Sequence, residues 1–336
     1  MNILVTGGAG FVGSNLVQYL LNKYPQYRIV NLDKLTYAGN LANLEAAFEN
    51  PNHSFVKGDI CDRPLVQSLL RDHSIEAVIH CAAESHVDRS IVGSAEFIAS
   101  NIMGTQVLLE CARESGVSKF VQVSTDEVYG SLEGERRSAE DTPLHPSNPY
   151  AASKAAGDLL ALAFYRTYGL PVVVTRCANN YGQFQFPEKL IPLVILNALH
   201  DKPIPVYGDG ENVRDWIHVY DHCAALDLVL HAGAGGTVYA IGADAQRRNI
   251  DIVRTILSQL GKPQALITFV KDRPGHDRRY ATDARKIQKE LGWSPTFAFD
   301  AGLKETVNWY RNHPHWWSPI LSGEYKEYYE RMYGSR

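Results

Sequence analysis

The length, composition and charge of this sequence exclude several classes of protein. The chain has 336 residues, of which 45% are hydrophobic and 21% are charged, as is ordinary for a soluble globular enzyme. This length suits one large α/β unit or two closely joined domains. A formal net charge of −4 gives no reason to expect nucleic acid or an anionic membrane as a partner.

The cysteines and the apolar runs bear on the compartment. There are five cysteines, an odd number, and none forms a C-x-x-C pair. This pattern argues against a disulfide framework or a zinc site and indicates a reducing compartment. No apolar run approaches the roughly 20 residues that cross a bilayer. Met1 leads directly into a strand-like segment, without the regions of a signal peptide. We therefore expect a cytoplasmic protein without a bound metal.

Short apolar runs rich in β-branched residues alternate with helix-length segments over the first half of the chain. The predicted strands are Ile3–Thr6, Ile29–Leu32, Ser54–Lys57, Ala77–His80, Phe120–Ser124 and Val172–Thr175. The predicted helices are Gly10–Leu21, Pro64–Asp72, Phe97–Ser115 and Ala151–Tyr168. Continuous apolar strands that alternate with helices predict an α/β fold with a doubly wound parallel sheet, the Rossmann type, covered on both faces.

After about residue 180 the regular alternation ends, and proline and glycine separate shorter elements. We predict a dinucleotide-binding domain over residues 1–180 and a smaller, partly interleaved substrate domain over residues 181–336. Segments near 215–245 are candidates to return to the first domain, because Val238–Ile241 resembles a further strand. Near the C-terminus, helical spacing predicts one packed face that contains Tyr325, Tyr328, Tyr329 and Tyr333.

A glycine-rich turn follows the first predicted strand and opens the first predicted helix. Gly8, Gly10 and Gly13 satisfy G-x-G-x-x-G in the strand–turn–helix context of dinucleotide binding. Such glycines let backbone N–H groups approach a pyrophosphate at the positive end of the helix. Asp33 closes the second strand, where a carboxylate binds an adenosine ribose and repels a 2′-phosphate. NAD is therefore favoured over NADP, although Lys34 weakens the preference, and a glycine turn without a ligand is the alternative.

A tyrosine and a lysine four positions apart are the second signal. Tyr150 and Lys154 share one face of a helix, and Pro149 suits the start of that helix. An ammonium beside the phenol favours the phenolate, so we expect a lowered pKa of Tyr150 and a role as a base. Alone, the pair could be an amphipathic surface pair. Ser124 and Thr125 end the fifth strand, where doubly wound sheets place their chemistry, and together these features indicate a catalytic site.

From end to end, the sequence resembles the extended short-chain dehydrogenases/reductases that modify nucleotide-sugars. In the stretch Ser124-Thr-Asp-Glu-Val-Tyr-Gly130, the pair Asp126-Glu127 resembles dTDP-glucose 4,6-dehydratases, and similar 4-epimerases and decarboxylases lack it there. Other stretches that resemble this family are Ala82–Ser90, Asn179–Gly182, Phe186–Pro192, Val213–Trp216 and Arg273–Tyr280. Ile217-His218 and Arg247-Arg248 depart from the family pattern, which bears on fine substrate preference.

The acid pair suits a dehydration that begins with oxidation of the sugar, because a ketone at C4 makes the C5 hydrogen acidic. In the reaction that the resemblance implies, Tyr150 takes the C4 hydroxyl proton during hydride transfer to NAD, and Thr125 hydrogen-bonds the developing ketone. Glu127 then abstracts the C5 proton, Asp126 protonates the departing C6 hydroxyl, and hydride returns to C6. One carboxyl must be protonated and the other ionised, and their proximity separates the two pKa values. NAD is regenerated each turnover and stays tightly bound.

The resemblance also implies contacts for cofactor and substrate. The residues expected to bind NAD are Gly7, Gly8, Gly10, Phe11, Val12, Gly13, Asp33, Lys34, Asp59, Ile60, Ala82, Ala83, Ser85, Ser124, Tyr150, Lys154 and Cys177. Those expected to bind the substrate, dTDP-glucose, are Ser85, His86, Thr125, Asn179, Glu188, Lys189, Leu190, Pro205, Tyr207, Arg214, Asn249, Arg273 and His276. Arg214 and Arg273 are the predicted pyrophosphate clamps, and a structural ion pair is the alternative for each. His86 and Asp88 could also serve the structure alone.

Several alternatives stay open. A UDP-glucose 4,6-dehydratase or a nucleotide-sugar 4-epimerase would share the fold and the tyrosine–lysine pair, and the acid pair weighs against the epimerase. A catalytically silent dinucleotide-binding regulator would fit better if any catalytic side chain were absent, and all are present. RNA binding is disfavoured by the acidic balance. The resemblance further implies a homodimer through a four-helix bundle, with helices around Met103–Glu114 and Ala151–Tyr168.

Overall fold

The structure is a computed structural model, and it describes residues 1–322 of the chain. The helical face predicted for Tyr325, Tyr328, Tyr329 and Tyr333 lies outside the described residues, as does the end of the predicted substrate domain. No helix within residues 1–322 is both long and apolar enough to cross a membrane.

Three sheets are formed by the strands of this region. The strands are β1 (Asn2–Thr6), β2 (Arg28–Asp33), β3 (His53–Lys57), β4 (Ala77–His80), β5 (Lys119–Thr125), β6 (Val172–Cys177), β7 (Asn179–Tyr181), β8 (Ile204–Tyr207), β9 (Val213–His218), β10 (Thr237–Ile241), β11 (Gln246–Arg248) and β12 (Ile267–Val270). The largest sheet has seven parallel strands in the order β10-β6-β5-β4-β1-β2-β3. The order reverses beside β1, so the predicted doubly wound parallel sheet is confirmed.

Helices cover both faces of this sheet. They are α1 (Phe11–Lys23), α2 (Glu45–Phe48), α3 (Arg63–Asp72), α4 (Val87–Val92), α5 (Ala95–Ile98), α6 (Thr105–Glu114), α7 (Pro149–Tyr168), α8 (Leu190–Leu199), α9 (Val219–Ala232), α10 (Asn249–Leu260), α11 (Arg285–Leu291), α12 (Phe299–Asn312) and α13 (Pro314–Leu321). Consecutive side chains of β1 enter opposite cores, with Ile3 and Val5 facing α1 and α9 and Leu4 facing α3 and α6. Each such fully buried side chain contributes about 1.5–3 kcal/mol.

The long helix predicted over Phe97–Ser115 is interrupted. A wider π-helical turn, Ala99–Gly104, separates α5 from α6. In this turn the Asn101 amide donates to Glu84 O at 3.0 Å and to Ser153 Oγ at 2.8 Å, and its Oδ1 accepts from Glu84 N at 2.9 Å. The turn thereby ties the loop after β4 to α7, two segments that reach the site described below.

Two small sheets lie beyond the main sheet, in the orders β11-β9-β7 and β12-β8. A third hydrophobic core joins them to α8, α10, α12 and α13, and Trp316 and Trp317 are buried in it. Between these elements, β10 returns to the main sheet and pairs with β6, with Val238 opposite Val174. The division into domains at residue 180 stays a prediction.

Candidate active site

A cavity lies along the carboxyl ends of the central strands. The predicted NAD-binding residues that line it are Gly7, Gly10, Phe11, Val12, Gly13, Asp33, Lys34, Asp59, Ile60, Ala82, Ala83, Ser85, Ser124, Tyr150, Lys154 and Cys177. Gly8 is not among the lining residues, because it packs against Asn31: a Cβ on Gly8 would lie 2.1 Å from Asn31 Oδ1. The fold therefore gathers residues from six strand ends and two helices into one space.

The glycine turn leaves room and free donors for a phosphate. Gly7 has φ +72°, and a Cβ there would lie 2.6 Å from the Ala82 backbone. A Cβ on Gly13 would lie 2.2 Å from Gly7 O, so the turn can close only around glycine. Gly10 caps α1 without a side-chain hydrogen bond, and the first turn of α1 contains no acid. The N–H groups in the first turn of α1 are thus available to an anion, and the glycine turn fits a pyrophosphate.

Asp33 is fixed at the far end of the cavity by two backbone donors. Its carboxylate accepts from Leu35 N at 2.7 Å and from Ala9 N at 2.9 Å. Burial raises the pKa of Asp33, while these two N–H groups lower it in part. Lys34 turns away and pairs with Asp59 at 2.7 Å, so it does not neutralise Asp33. The carboxylate is free to accept from ribose hydroxyls and to repel a 2′-phosphate, which fits NAD.

Tyr150 and Lys154 share a buried face of α7. The helix begins as expected, with Pro149 in its first turn and with Asn148 Oδ1 accepting from Ala151 N at 2.9 Å. Lys154 Nζ donates to Val123 O at 2.7 Å. The expected lowering of the Tyr150 pKa is wrong for this state. Burial raises that pKa, and the Glu127 carboxylate raises it further.

The acid turn, Asp126–Tyr129, is a single 3-10 turn that follows β5. It starts at Thr125, whose hydroxyl accepts from Glu127 N at 3.2 Å and donates to Asp126 Oδ1 at 3.4 Å. Glu127 lines the cavity, whereas Asp126 is only 2% exposed and is not among the lining residues. Burial, followed by repulsion from Glu127, holds the pKa of Asp126 well above its usual range. The direction of this shift favours the protonated form of Asp126, which is the form that an acid catalyst needs.

Residues of the predicted substrate set extend the cavity beyond the acid turn. Those in the lining are Ser85, Thr125, Asn179, Glu188 and Lys189. Lys189 Nζ donates to Ser85 O at 2.8 Å, and burial raises the pKa of Glu188 to about 7. Asn179 Oδ1 is buried and has no hydrogen-bond partner within residues 1–322, so it can receive a donor from a ligand.

The two predicted clamps are held in different ways. Arg273 forms an ion pair with Asp88 at 3.1 Å, and Tyr207 donates to the same carboxylate at 2.9 Å. Arg214 donates to Val213 O at 2.8 Å and to Asp277 O at 2.9 Å. Arg273 is thus paired structurally, while the charge of Arg214 meets backbone carbonyls.

Known proteins resemble this chain over nearly its whole length. A family model described as GDP-mannose 4,6 dehydratase matches residues 4–306. A dTDP-glucose 4,6-dehydratase from Streptomyces niveus is 51% identical, over 96% of each chain. A dTDP-glucose 4,6-dehydratase from Streptomyces venezuelae, solved with NAD and dTDP, is 49% identical, with a TM-score of 0.93 over 95% of this chain and 100% of that one. The chain belongs to the dTDP-glucose 4,6-dehydratase family.

Relatives of the alternative class are more distant. The UDP-glucose 4-epimerase from Thermus thermophilus, solved with NAD, is 30% identical, with a TM-score of 0.86 over 93% of this chain and 99% of that one. This chain is an NAD-dependent hydro-lyase, and its predicted family, activity and cofactor are confirmed. Within residues 1–322, no group of three or more His, Cys, Asp or Glu side chains has the geometry of a metal site.

The other predicted substrate residues of the dehydratase do not line the cavity; they are His86, Leu190, Pro205, Tyr207, Arg214, Asn249, Arg273 and His276. His86 contacts Glu188 O at 3.4 Å, and His276 Nδ1 pairs with Asp272 Oδ1 at 2.6 Å. Leu190 and Asn249 begin α8 and α10, and Pro205 lies in β8. Asn249 Oδ1 is buried without a hydrogen-bond partner in the described region. Their contacts with substrate remain predictions.

Several lining residues of the dehydratase escaped the sequence analysis. They are Leu32, Thr36, Ala38, Gly58, Cys81, Glu84, Ser100, Val123, Ala178, Asn180, Gln185, Phe186 and His222. Asn180 and Phe186 lie in stretches that the family resemblance marked, so these could have been found. His222 enters from α9 and bonds Asn180 Oδ1 at 2.9 Å, and no local pattern signals it.

Proposed function

We propose how this chain removes water from dTDP-glucose to give dTDP-4-keto-6-deoxyglucose: Tyr150 and Lys154 serve the redox step, and Asp126 and Glu127 serve the elimination. One observation carries the assignment of these roles. Tyr150 and Glu127 line the same cavity as the glycine turn, and the Glu127 charge acts directly on the Tyr150 hydroxyl. One bound hexose can therefore meet both pairs.

In the first step, Tyr150 accepts the proton of the C4 hydroxyl. NAD, when bound, would supply the hydride acceptor and a positive ring charge that favours a phenolate on Tyr150. The glycine turn, Asp33 and Lys154 hold the dinucleotide, and Val123 O fixes the Lys154 ammonium. Thr125 donates a hydrogen bond to the oxygen that becomes the ketone, which stabilises the charge developing there.

In the second step, the two acids of the turn divide the proton transfers. Glu127, at the cavity surface, takes the proton from C5. Asp126, whose protonated form is favoured by burial, donates to the departing C6 hydroxyl. This role requires the hexose to reach past Thr125, since Asp126 itself does not line the cavity. After its proton has exchanged with solvent, Glu127 protonates C5, and the proton that Tyr150 took passes through solvent to Asp126, so the chain ends the cycle unchanged.

Substrate recognition is assigned to the polar residues beyond the acid turn. Asn179 and Ser85 hold the hexose or the pyrophosphate, and Arg214 binds phosphate oxygens in the forked geometry of a guanidinium. Arg273, already paired with Asp88, adds positive charge close to Glu127. Contacts with the nucleoside base and its ribose are assigned to Glu188, Lys189, Leu190, Pro205 and Tyr207. Asn249 and His276 are assigned to the surroundings of the two arginines, and His86 to the substrate without a specified group.

The experiment that tests this function offers the purified protein dTDP-glucose and UDP-glucose in parallel, without added cofactor, and weighs the products. We expect the dTDP product to be lighter by one water, with NAD carried through purification. A preference for UDP-glucose would assign the chain to the uridine-specific dehydratases. A product of unchanged mass with inverted C4 would assign it to the epimerases, and no product from either sugar would favour a silent dinucleotide-binding protein.

Dimerisation through a four-helix bundle belongs to the same proposal. Apolar side chains on the implicated segments are exposed in the single chain, with Met103 and Leu159 each 59% and Tyr168 55% exposed. A second copy would cover them. Light scattering should give a mass in solution of two chains for the native protein and of one chain for Leu159→Glu. A native protein with the mass of one chain would contradict the bundle.

Localisation and domain organisation complete the proposal. All five cysteines are unpaired, which agrees with a reducing cytoplasm. We assign residues 1–180 and the returning strand β10 to NAD binding and most of residues 181–336 to the nucleotide-sugar. Limited proteolysis with and without dTDP should protect mainly the second group.

A further inference from the structure

Behind the cavity, a buried arginine joins the two catalytic pairs. Arg176 lies in β6, directly beside Ser124 of β5, and is only 3% exposed. Its guanidinium reaches two elements at once, α7 and the acid turn. No step of the proposed reaction uses this side chain, so its burial calls for a different role.

The first contact of Arg176 is with the helix of the tyrosine–lysine pair. Arg176 Nε donates to Asp158 Oδ2 at 2.9 Å, and Asp158 is fully buried. Asp158 stands one helical turn after Lys154 on α7, so both side chains point the same way from the helix. Burial lowers the pKa of Lys154, and the negative charge of Asp158 opposes that shift.

The second contact of Arg176 is with the acid turn. Arg176 Nη1 donates to the Tyr129 hydroxyl at 3.0 Å and, less closely, to Glu140 O at 3.4 Å. Tyr129 is the last residue of the turn that begins with Asp126 and Glu127. Its ring lies under the guanidinium at 5.0 Å and packs with Val128 and Ala155, and Ala155 is the residue after Lys154.

We propose that Arg176 is a positioning residue that holds the acid turn in register with the tyrosine–lysine helix. A planar guanidinium can bond both partners at fixed angles, which an ammonium cannot. Through its bond to Asp158, Arg176 fixes the part of α7 that carries Lys154, on which oxidation at C4 depends. Through its bond to Tyr129, Arg176 fixes the turn that carries Glu127, on which proton removal at C5 depends. The inference rests on the proposed function, because it assigns Arg176 to the alignment of the two steps.

The test is a single turnover of the NAD-loaded enzyme with dTDP-glucose, followed by the absorbance of the reduced nicotinamide. The rise of the signal reports oxidation, and its decay reports elimination and hydride return. Tyr129→Phe keeps the packed ring but removes the hydroxyl, and we expect an unchanged rise with a decay about tenfold slower, since sub-ångström misplacement has effects of this size. Asp158→Asn should show the reverse, a slower rise. Arg176→Lys should slow both phases.

A matched control separates positioning from a general loss of packing. Tyr239→Phe removes the hydroxyl of another buried tyrosine, on the neighbouring strand β10, whose partner is Glu290 at 3.0 Å. This control should leave both phases native. Equal slowing of rise and decay in Tyr129→Phe, or no change in either, would overturn the inference. If the native enzyme forms no reduced nicotinamide, the proposed function itself fails, whereas native turnover with an unaffected Tyr129→Phe variant rejects only the role of Arg176.

Discussion

The cavity has two sides that are built in different ways. The dinucleotide side consists of the glycine turn, Asp33 and the face of α7, and main-chain contacts fix most of it: Ala9 N and Leu35 N hold Asp33, and Val123 O holds Lys154. The substrate side is held by contacts between segments that lie far apart in the sequence. Asp88 pairs with Arg273, which is 185 residues away, and Lys189 donates to the main-chain oxygen of Ser85 across 104 residues.

This contrast predicts how each side responds to mutation. Backbone contacts close to strand ends leave the dinucleotide side preorganised, so small steric changes there should expel the cofactor. Charged side chains on the substrate side act more independently of one another. A single loss there should weaken binding while leaving the cofactor in place. The acid turn lies between the two sides, so a mutation in it should lower the rate of the reaction and leave the binding of cofactor and substrate unchanged.

The largest effect is expected at the acid turn. Glu127→Gln preserves shape but removes the base for C5, so we expect kcat for dehydration to fall by about 10³-fold, within the range for general base catalysis. Reduced nicotinamide should still form in a single turnover, because Tyr150 is intact. Loss of both phases together would show that Glu127 belongs to the redox step as well, which would remove the distinction between the turn and the dinucleotide side.

A Cβ on the glycine turn should have the next largest effect. Gly13→Ala places a methyl group 2.2 Å from Gly7 O, so the turn must shift and the NAD that copurifies should fall to a small fraction. Affinity for dTDP, measured by calorimetry, should change little. Gly93→Ala is the matched control, because a Cβ there meets nothing within 4 Å. Full retention of NAD by Gly13→Ala would contradict the rigid dinucleotide side.

A mutation on the substrate side should weaken the binding of substrate and leave the bound NAD in place. Arg214→Lys keeps the charge but loses the forked donor set, and we expect KM for dTDP-glucose to rise about tenfold, as for one charge-assisted hydrogen bond. kcat and the copurified NAD should remain near native values. A fall in kcat with unchanged KM would instead place Arg214 beside the reacting carbons.

The smallest effect concerns stability on the dinucleotide side, where His80 bridges Thr6 and Thr105. Burial lowers the pKa of His80 from 6.5 to about 3. Between these values the unfolded chain binds a proton that the folded chain does not, so the unfolding free energy decreases as the pH falls below 6.5. This histidine contributes about 1.4 kcal/mol per pH unit. His80→Gln should flatten the pH dependence of denaturant unfolding by that amount, and an unchanged slope would refute the account of His80.

The dinucleotide side could be predicted from sequence because its information is local. The strand, turn and helix around Gly8, Gly10 and Gly13 are contiguous, and Asp33 ends the next strand. The structure also explains why Lys34 does not disturb that site, since its partner is Asp59. That pairing joins two different strand ends and has no signal in spacing.

Other features depended on packing that a linear pattern does not contain. The pKa of Tyr150 was misjudged because neither its burial nor the charge of Glu127 is visible in Y-x-x-x-K. The separation of Asp126 from the cavity surface follows from a tight 3-10 turn, in which adjacent side chains point in different directions. The sequence also leaves undecided whether Arg273 binds phosphate or forms a structural ion pair, because its partner Asp88 lies 185 residues away.

The most direct test of the central claim, that Glu127 removes the C5 proton and protonates C5 again after exchange with solvent, is turnover of dTDP-glucose in deuterated water with analysis of the product by NMR. We predict one solvent deuterium at C5 of the 4-keto-6-deoxy product, and little incorporation in single turnovers of Glu127→Gln. Complete retention of the original hydrogen at C5 by the native enzyme would contradict the claim.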